Sequence, residues 1–286
     1  MSREFRTVAA ARGMRWFQGA IGMLDRNPRG LLLTALVFVV IEKLPSLLAT
    51  LQPLAGMLAL AVLLITPALM GGLMHAIAEA DEGRPVSVGQ LFEAFRRPGV
   101  VLPMLVLGML SILGLFALGY AANTILGPDN IAILAKVAAQ QLKPEDVPMD
   151  QLEQPLLRFL MAAAVILFVL LAGLFFAVPR VLFDRRPALA AFLESFVACA
   201  ANVLSLTLYG LALTFAVFVL LLVLAVAAVL LGVLGQLGTL LGFLIFPPAL
   251  MLAVLVSAAG NYLAWREVFG HVDADADKPP IAGIAV

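Results

Sequence analysis

Residues 64–105 read LITPALMGGLMHAIAEADEGRPVSVGQLFEAFRRPGVVLPML. An apolar helix is interrupted at Thr66–Pro67 and leaves its apolar surroundings through His75 and Glu79. Gly83–Arg84–Pro85 predicts a turn, because glycine and proline supply the backbone angles of a reversal. A short amphipathic helix follows from Ser87 to Arg97, opened by Ser87 and Gln90 in the reciprocal capping pattern. Its apolar face is Leu91, Phe92 and Phe95, with Glu93, Arg96 and Arg97 outward. Pro98–Gly99 ends it, and a second apolar run begins at Val100. A charged reversal between two long apolar helices returns the chain to a bilayer with its backbone groups satisfied.

The rest of the chain has the same character. It has 286 residues, 63% hydrophobic and 13% charged, whereas a soluble domain has about a quarter charged residues. Several runs of twenty or more residues carry almost no charge, the length needed to cross ~30 Å of hydrocarbon. The fold class is therefore an all-α polytopic membrane bundle. Cys199 is the only cysteine, which leaves no internal disulfide framework and reads as a small apolar helix residue. Arginine outnumbers lysine, and Ala, Leu and Val abound, which points to a GC-rich bacterial source.

Six spans are predicted at 30–51, 54–78, 100–124, 156–182, 203–231 and 237–264. Glu42 and Lys43 interrupt the first and are expected to pair and reach its outer surface. Residues 12–27 are not a span: Trp16, Phe17, Ala20, Ile21 and Leu24 recur at helical spacing opposite Arg12, Arg15, Gln18, Asp25 and Arg26, the pattern of an interfacial helix. The first apolar run then acts as an anchor that stays in place. With the N-terminus inside, the inner side carries 14 Lys and Arg and the outer side 4, which predicts both termini in the cytoplasm of a bacterial inner membrane. Segment 125–155 is the one sizeable outer stretch, with Asp129 or Asn130 expected to cap a short helix. The tail 269–286 is expected to be disordered, and its Asp273, Asp275 and Asp277 do not make a calcium loop, because Lys278 stands where glycine is needed.

Three stretches share an order: IGMLDRNPRGLLL (21–33), LFEAFRRPGVVLP (91–103) and FLESFVACAANVLSL (192–206). Each is the end of an amphipathic helix, then a breaking Pro or Asn, then an outward apolar span. In the third, Leu189, Phe192, Leu193 and Phe196 form the expected apolar face. Three inward spans contain proline, in ITPALM (65–70), AVPRVL (177–182) and FPPALM (246–251). The expectation is a single membrane domain over 1–268 built from three units, approximately 12–79, 85–184 and 187–268.

GMRWFQGAIGMLDRNPRG (13–30), TPALMGGLMHAIAEADEGRPVSVGQLFEAF (66–95) and RPALAAFLESFVACAANVLSL (186–206) resemble the BPSS-type transmembrane proteins of proteobacteria, a widespread group of uncharacterised inner-membrane proteins. A looser similarity is to the membrane domain attached to some glycerophosphodiester phosphodiesterases. The chain has none of that enzyme's catalytic barrel, so the resemblance implies a membrane architecture and no activity.

Chemistry-bearing patterns are sparse. The histidines are His75 and His271, and the phosphate-binding, dinucleotide-binding, nucleophile-elbow and zinc-protease motifs are missing from the sequence. No enzyme activity, cofactor or metal is expected, and with zero net charge no nucleic-acid partner. His75 and Glu79 share one helix face and read as a hydrogen-bonded surface pair. Arg96, Arg97, Arg185 and Arg186 are the candidate lipid-headgroup residues, and Thr66, His75, Asn123, Asn202 and Asn261 the candidate polar pathway. Two functions follow. One is a scaffold that organises membrane lipids, other membrane proteins or copies of itself. The other is a transporter or channel for a small apolar or lipidic solute, since broken helices also build carrier sites. A packed apolar centre favours the first and a polar cavity the second.

Overall fold

The computed structural model describes residues 5–143, 146–233 and 235–270, and every statement of structure concerns these. His271, the expected disordered tail with Asp273, Asp275 and Asp277, and residues 144–145 of the acidic outer linker lie outside them. The helices run in chain order as α1 (Arg12–Met23), α2 (Pro28–Leu47) and α3 (Gln52–Asp81), then a 3-10 turn (Val88–Phe92) leading into α4 (Glu93–Arg96). Next come α5 (Val101–Ala121), a π turn (Ala122–Leu126), α6 (Gly127–Ala138), α7 (Met149–Phe175) and α8 (Ala177–Asp184). The chain closes with α9 (Ala188–Ala201), α10 (Val203–Gly232) and α11 (Gln236–Val268). Six of the helical stretches are long and apolar enough to cross a membrane. This is an all-α polytopic membrane bundle.

The local signals explain most boundaries. Asn27 caps α2 by accepting from the Gly30 amide at 3.2 Å, with Pro28 at the first helical position where its missing N–H costs nothing. Ser87 and Gln90 make the expected capping box. The 87–97 helix itself is a 3-10 turn followed by one α turn. The expected interruption at Thr66–Pro67 does not occur, and α3 runs through Pro67 as one helix. The fourth span, by contrast, is broken. Pro179 has no N–H to give the Phe175 carbonyl, so α7 stops at Phe175 and α8 starts at Ala177. The Asp129 or Asn130 cap does not form: α6 starts at Gly127–Pro128, and the Asn130 side-chain Nδ2 donates to the Leu126 carbonyl at 2.9 Å.

The returning helices α3, α8 and α11 touch one another and make the centre, where Leu69, Leu73, Leu182, Leu255 and Phe176 are almost fully buried. The outer helices bury much less. Half of the span Pro248–Val268 of α11 is inside the protein, whereas very little of α10 is, so α10 offers most of its surface to lipid.

Each short helix packs against long helices of the bundle. α9 lies on α7 and α8, the 88–96 segment lies on α2 and α3, and α1 lies on α10 and α11 at the far end of the chain. These contacts are close. A Cβ on Gly72 would overlap the Leu91 carbonyl, and one on Gly13 would overlap the Ser205 carbonyl. That closeness corrects the expected apolar faces. α1 buries Gly13, Trp16, Ala20 and Met23, while Ile21 is exposed. α9 buries Ala188, Ala191, Ser195, Ala198 and Cys199, and its Leu189 and Leu193 point away. Phe95 is also exposed, whereas Leu91 and Ala94 are buried. Small side chains admit the neighbouring backbone; the large ones, in a bilayer, find apolar surroundings outside the protein as well.

Candidate functional site

The charged residues gather at the ends of α1, α3, α4, α8, α9 and α11, on the face where both described termini meet. There the Arg6 amide donates to the Val268 carbonyl at 2.7 Å. Asn202, in the break between α9 and α10, fastens the N-terminal strap. It accepts from the Val8 amide at 2.8 Å and donates to the Arg6 carbonyl at 3.0 Å.

Three ion-pair clusters hold the short helices to the bundle. On α1, Arg12 pairs with Glu267 of α11, whose other oxygen accepts from the Trp16 indole at 2.8 Å. On the α4 side, Arg97 donates to Glu93 at 3.0 Å and to the Leu182 carbonyl at 3.3 Å. It also lies 3.3 Å from His75 Nδ1. A guanidinium has no acceptor, so Nδ1 accepts and the neutral ring carries its proton on Nε2, 3.8 Å from Glu79. On α9, Glu194 takes Arg180 at 2.6 Å and also Arg186, while Arg180 gives a further bond of 2.8 Å to Asp184. Trp265 donates to Asp184 at 3.1 Å, and the Arg180 guanidinium sits 4.4 Å from the Phe269 ring centroid. Burial raises the Glu194 carboxyl, but Arg186 and Arg180 outweigh it and hold the group below the usual carboxylate range. Asp81, at the end of α3, ties Arg26 at 3.1 Å and Arg266.

The four headgroup candidates divide evenly. Arg96 and Arg185 are exposed, whereas Arg97 and Arg186 are half-buried in the clusters just described. Four of the five polar-pathway residues bond to separate partners and not to one another. The Thr66 hydroxyl lies 2.7 Å from Glu42 and 2.8 Å from the Val62 carbonyl, so the partner of Glu42 is Thr66 and not the expected Lys43. His75 belongs to the Arg97 cluster and Asn202 to the strap. Asn123 is exposed in the π turn. Asn261 donates to the Phe175 carbonyl at 2.8 Å, filling the acceptor that Pro179 frees. At the same break the Phe176 amide donates to Ser195 Oγ at 2.8 Å, and the Ser195 hydroxyl donates to the Ala172 carbonyl at 2.6 Å.

Arg180, Asp184, Glu267 and Trp265 escaped the sequence reading. Their signal was faint: Arg180 and Asp184 are four residues apart on one helix face, and Glu93 and Glu194 are the single acids of LFEAF and FLESF. Among the described residues no group of three or more His, Cys, Asp and Glu is placed to hold a metal ion. Cys199 is buried, which pushes its thiol up to about 12 against a hydrogen bond with Ser195. Comparison with family models, with curated proteins and with solved structures finds no match to this chain.

Proposed function

We propose that this protein is a non-enzymatic scaffold of the bacterial inner membrane, with its arginine-rich face in the cytoplasm, where it gathers lipids or neighbouring membrane proteins. The observation that carries this reading is the contrast between centre and surface. Large apolar side chains fill the space between α3, α8 and α11, and the breaks at Pro179 and Asn202 have their polar groups taken by other parts of the same chain. Asn261 Oδ1 is the one buried side-chain polar atom left without a partner among the described residues. Outside, the cations Arg96 and Arg185 stand beside exposed apolar side chains, Phe95 and Leu189. A carrier of apolar or lipidic solutes would need a route through that packed centre.

The scaffold reading includes three copies of one unit closed into a ring. Its support is the recurring order of short helix, outgoing helix and returning helix, with each short helix tied by a carboxylate–guanidinium cluster at the terminal face. The inner-side assignment rests on the arginine count. Extraction of the protein with its surrounding bilayer in polymer-bounded patches tests the proposal. Anionic lipid or a recurrent membrane protein should be enriched over the bulk membrane, and patches of bulk composition without a companion protein would sink it.

A further inference from the structure

At the ends of the three returning helices the backbone turns through the left-handed region, at Gly83 (φ 72) after α3, Arg185 (φ 53) after α8 and Gly270 (φ 81) after α11. Glycine is the residue that adopts this conformation without a steric cost, and an arginine does so only under strain. The turn is held in place, since the Arg185 amide and, at 3.2 Å, the Arg186 amide both reach back to the Arg180 carbonyl at the end of α8. Nothing in the backbone calls for a long cationic side chain here. A strained residue that persists is grounds for asking what its side chain does.

The charges around it single out the same residue. Residues 180–194 hold three guanidiniums, Arg180, Arg185 and Arg186, and two carboxylates, Asp184 and Glu194. Both carboxylates are taken by Arg180 and Arg186. Arg185 is exposed and has neither an ion pair nor a hydrogen bond from its side chain among the described residues, so the surplus positive charge of the cluster is its own. From Arg185 an apolar ridge runs along the outward side of α9, with Leu189, Leu193 and Val197 at every fourth position and 61%, 65% and 52% exposed. The ridge is about 12 Å long at the helical rise. On a water-facing helix such a row would be costly; against an acyl chain it is not.

A free cation at one end of an apolar ridge is complementary to an amphiphile with an anionic head and a hydrocarbon tail. We propose that Arg185 and the Leu189–Leu193–Val197 ridge bind one anionic phospholipid, its phosphate on the guanidinium and an acyl chain along α9. The site deepens the scaffold reading and rests on it for the side of the membrane. Arg185 is exposed and bonds to neither Asp184 nor Glu194, whose charges are already met by Arg180 and Arg186.

Native mass spectrometry of the full chain, delipidated in detergent and titrated with phosphatidylglycerol or phosphatidylcholine, tests the site. The wild type should retain one phosphatidylglycerol in preference to phosphatidylcholine. Arg185→Gln keeps the strained turn and removes only the charge, and should lower phosphatidylglycerol occupancy at least fivefold with phosphatidylcholine unchanged. Arg185→Gly should lose the same lipid while its melting temperature rises, because glycine suits the turn. Leu193→Asn should also weaken retention, and Arg96→Gln should not. Wild-type occupancy in Arg185→Gln overturns the site, and leaves the scaffold reading standing if the wild type still prefers the anionic lipid. A wild type that takes both lipids equally also overturns the site, and the scaffold reading then rests on finding a recurrent companion protein.

Discussion

Glu194 shows how one residue acquires a role that its local sequence conceals. In FLESF it reads as the solvent side of an amphipathic helix, and its removal is expected to matter little. In the structure it is the acceptor for both Arg180 and Arg186, and Arg180 is 6% exposed. Removing Glu194 leaves Arg180 with Asp184 alone and takes the carboxylate from Arg186, a loss of about 1–3 kcal/mol for a partly buried charged partner. Glu194→Ala should therefore unfold well below the wild type in a thermal scan at neutral pH, and Arg180→Met with Glu194→Leu together should recover part of the loss. The pH dependence has a definite sign. The folded carboxyl lies below its ordinary 4.5, so its contribution is full above pH 4.5 and fades as the pH falls through the lowered value. The melting-temperature gap between wild type and Glu194→Gln should close on acidification below 4.5; a gap that is constant down to pH 3 would show that the ionised group is not what stabilises. The phenylalanines divide similarly. Phe196 packs against the core with its ring 6.1 Å from Phe168, whereas Phe95 is 37% exposed. Aspartate at 196 should then cost more than aspartate at 95, in place of the equal costs that the matching motifs imply, and equal shifts in melting temperature would contradict the packing.

At the scale of the element, the decisive feature is how closely the short helices approach their hairpins. Gly72→Val would drive a side chain into the Leu91 carbonyl, and the 88–96 segment would have to lift from α3. Overpacking of this kind costs about 1–3 kcal/mol. Gly22→Ala, on the open side of α1, should be neutral. The N-terminal strap is a second such element. Asn202→Ala strands the Val8 amide and the Arg6 carbonyl, and the lost bonds are worth about 1 kcal/mol each. Hydrogen exchange at Val8 should accelerate at least tenfold in that variant, while α3 amides stay protected; unchanged exchange at Val8 would show that the strap is held elsewhere. Much of the element structure was legible beforehand. The reversal at Gly83–Pro85 and the Ser87–Gln90 box both form, because each is decided within four or five residues. The buried faces of α1 and α9 were not legible. Hydrophobic periodicity finds the apolar side of a helix, but in a membrane that side is free to face lipid, and the packed side is the one with small residues.

For the whole molecule, the arginine-rich face and the segment around α6 stand on opposite sides of the bundle if the six long helices each cross once. Labelling of whole cells with an impermeant maleimide should reach Asp150→Cys and miss Glu82→Cys, and the reverse result would invert the topology. Cys199 need not be replaced for this, since its buried thiol, pushed up to about 12, gives almost no thiolate. The sequence by itself determined the membrane class and the approximate spans, because length and apolarity are local properties of the chain; of the three proline-containing returning spans only the one at Pro179 breaks, while α3 runs through Pro67 and α11 through Pro247 and Pro248. Tertiary structure alone decided which short helix meets which hairpin and which charges are satisfied. Arg12 finds Glu267 across 255 positions, and Asn261 fills the Phe175 carbonyl from 86 positions away. A partner for a buried charge or a freed carbonyl is set by which helices come together, and that depends on the packing of the whole bundle at once.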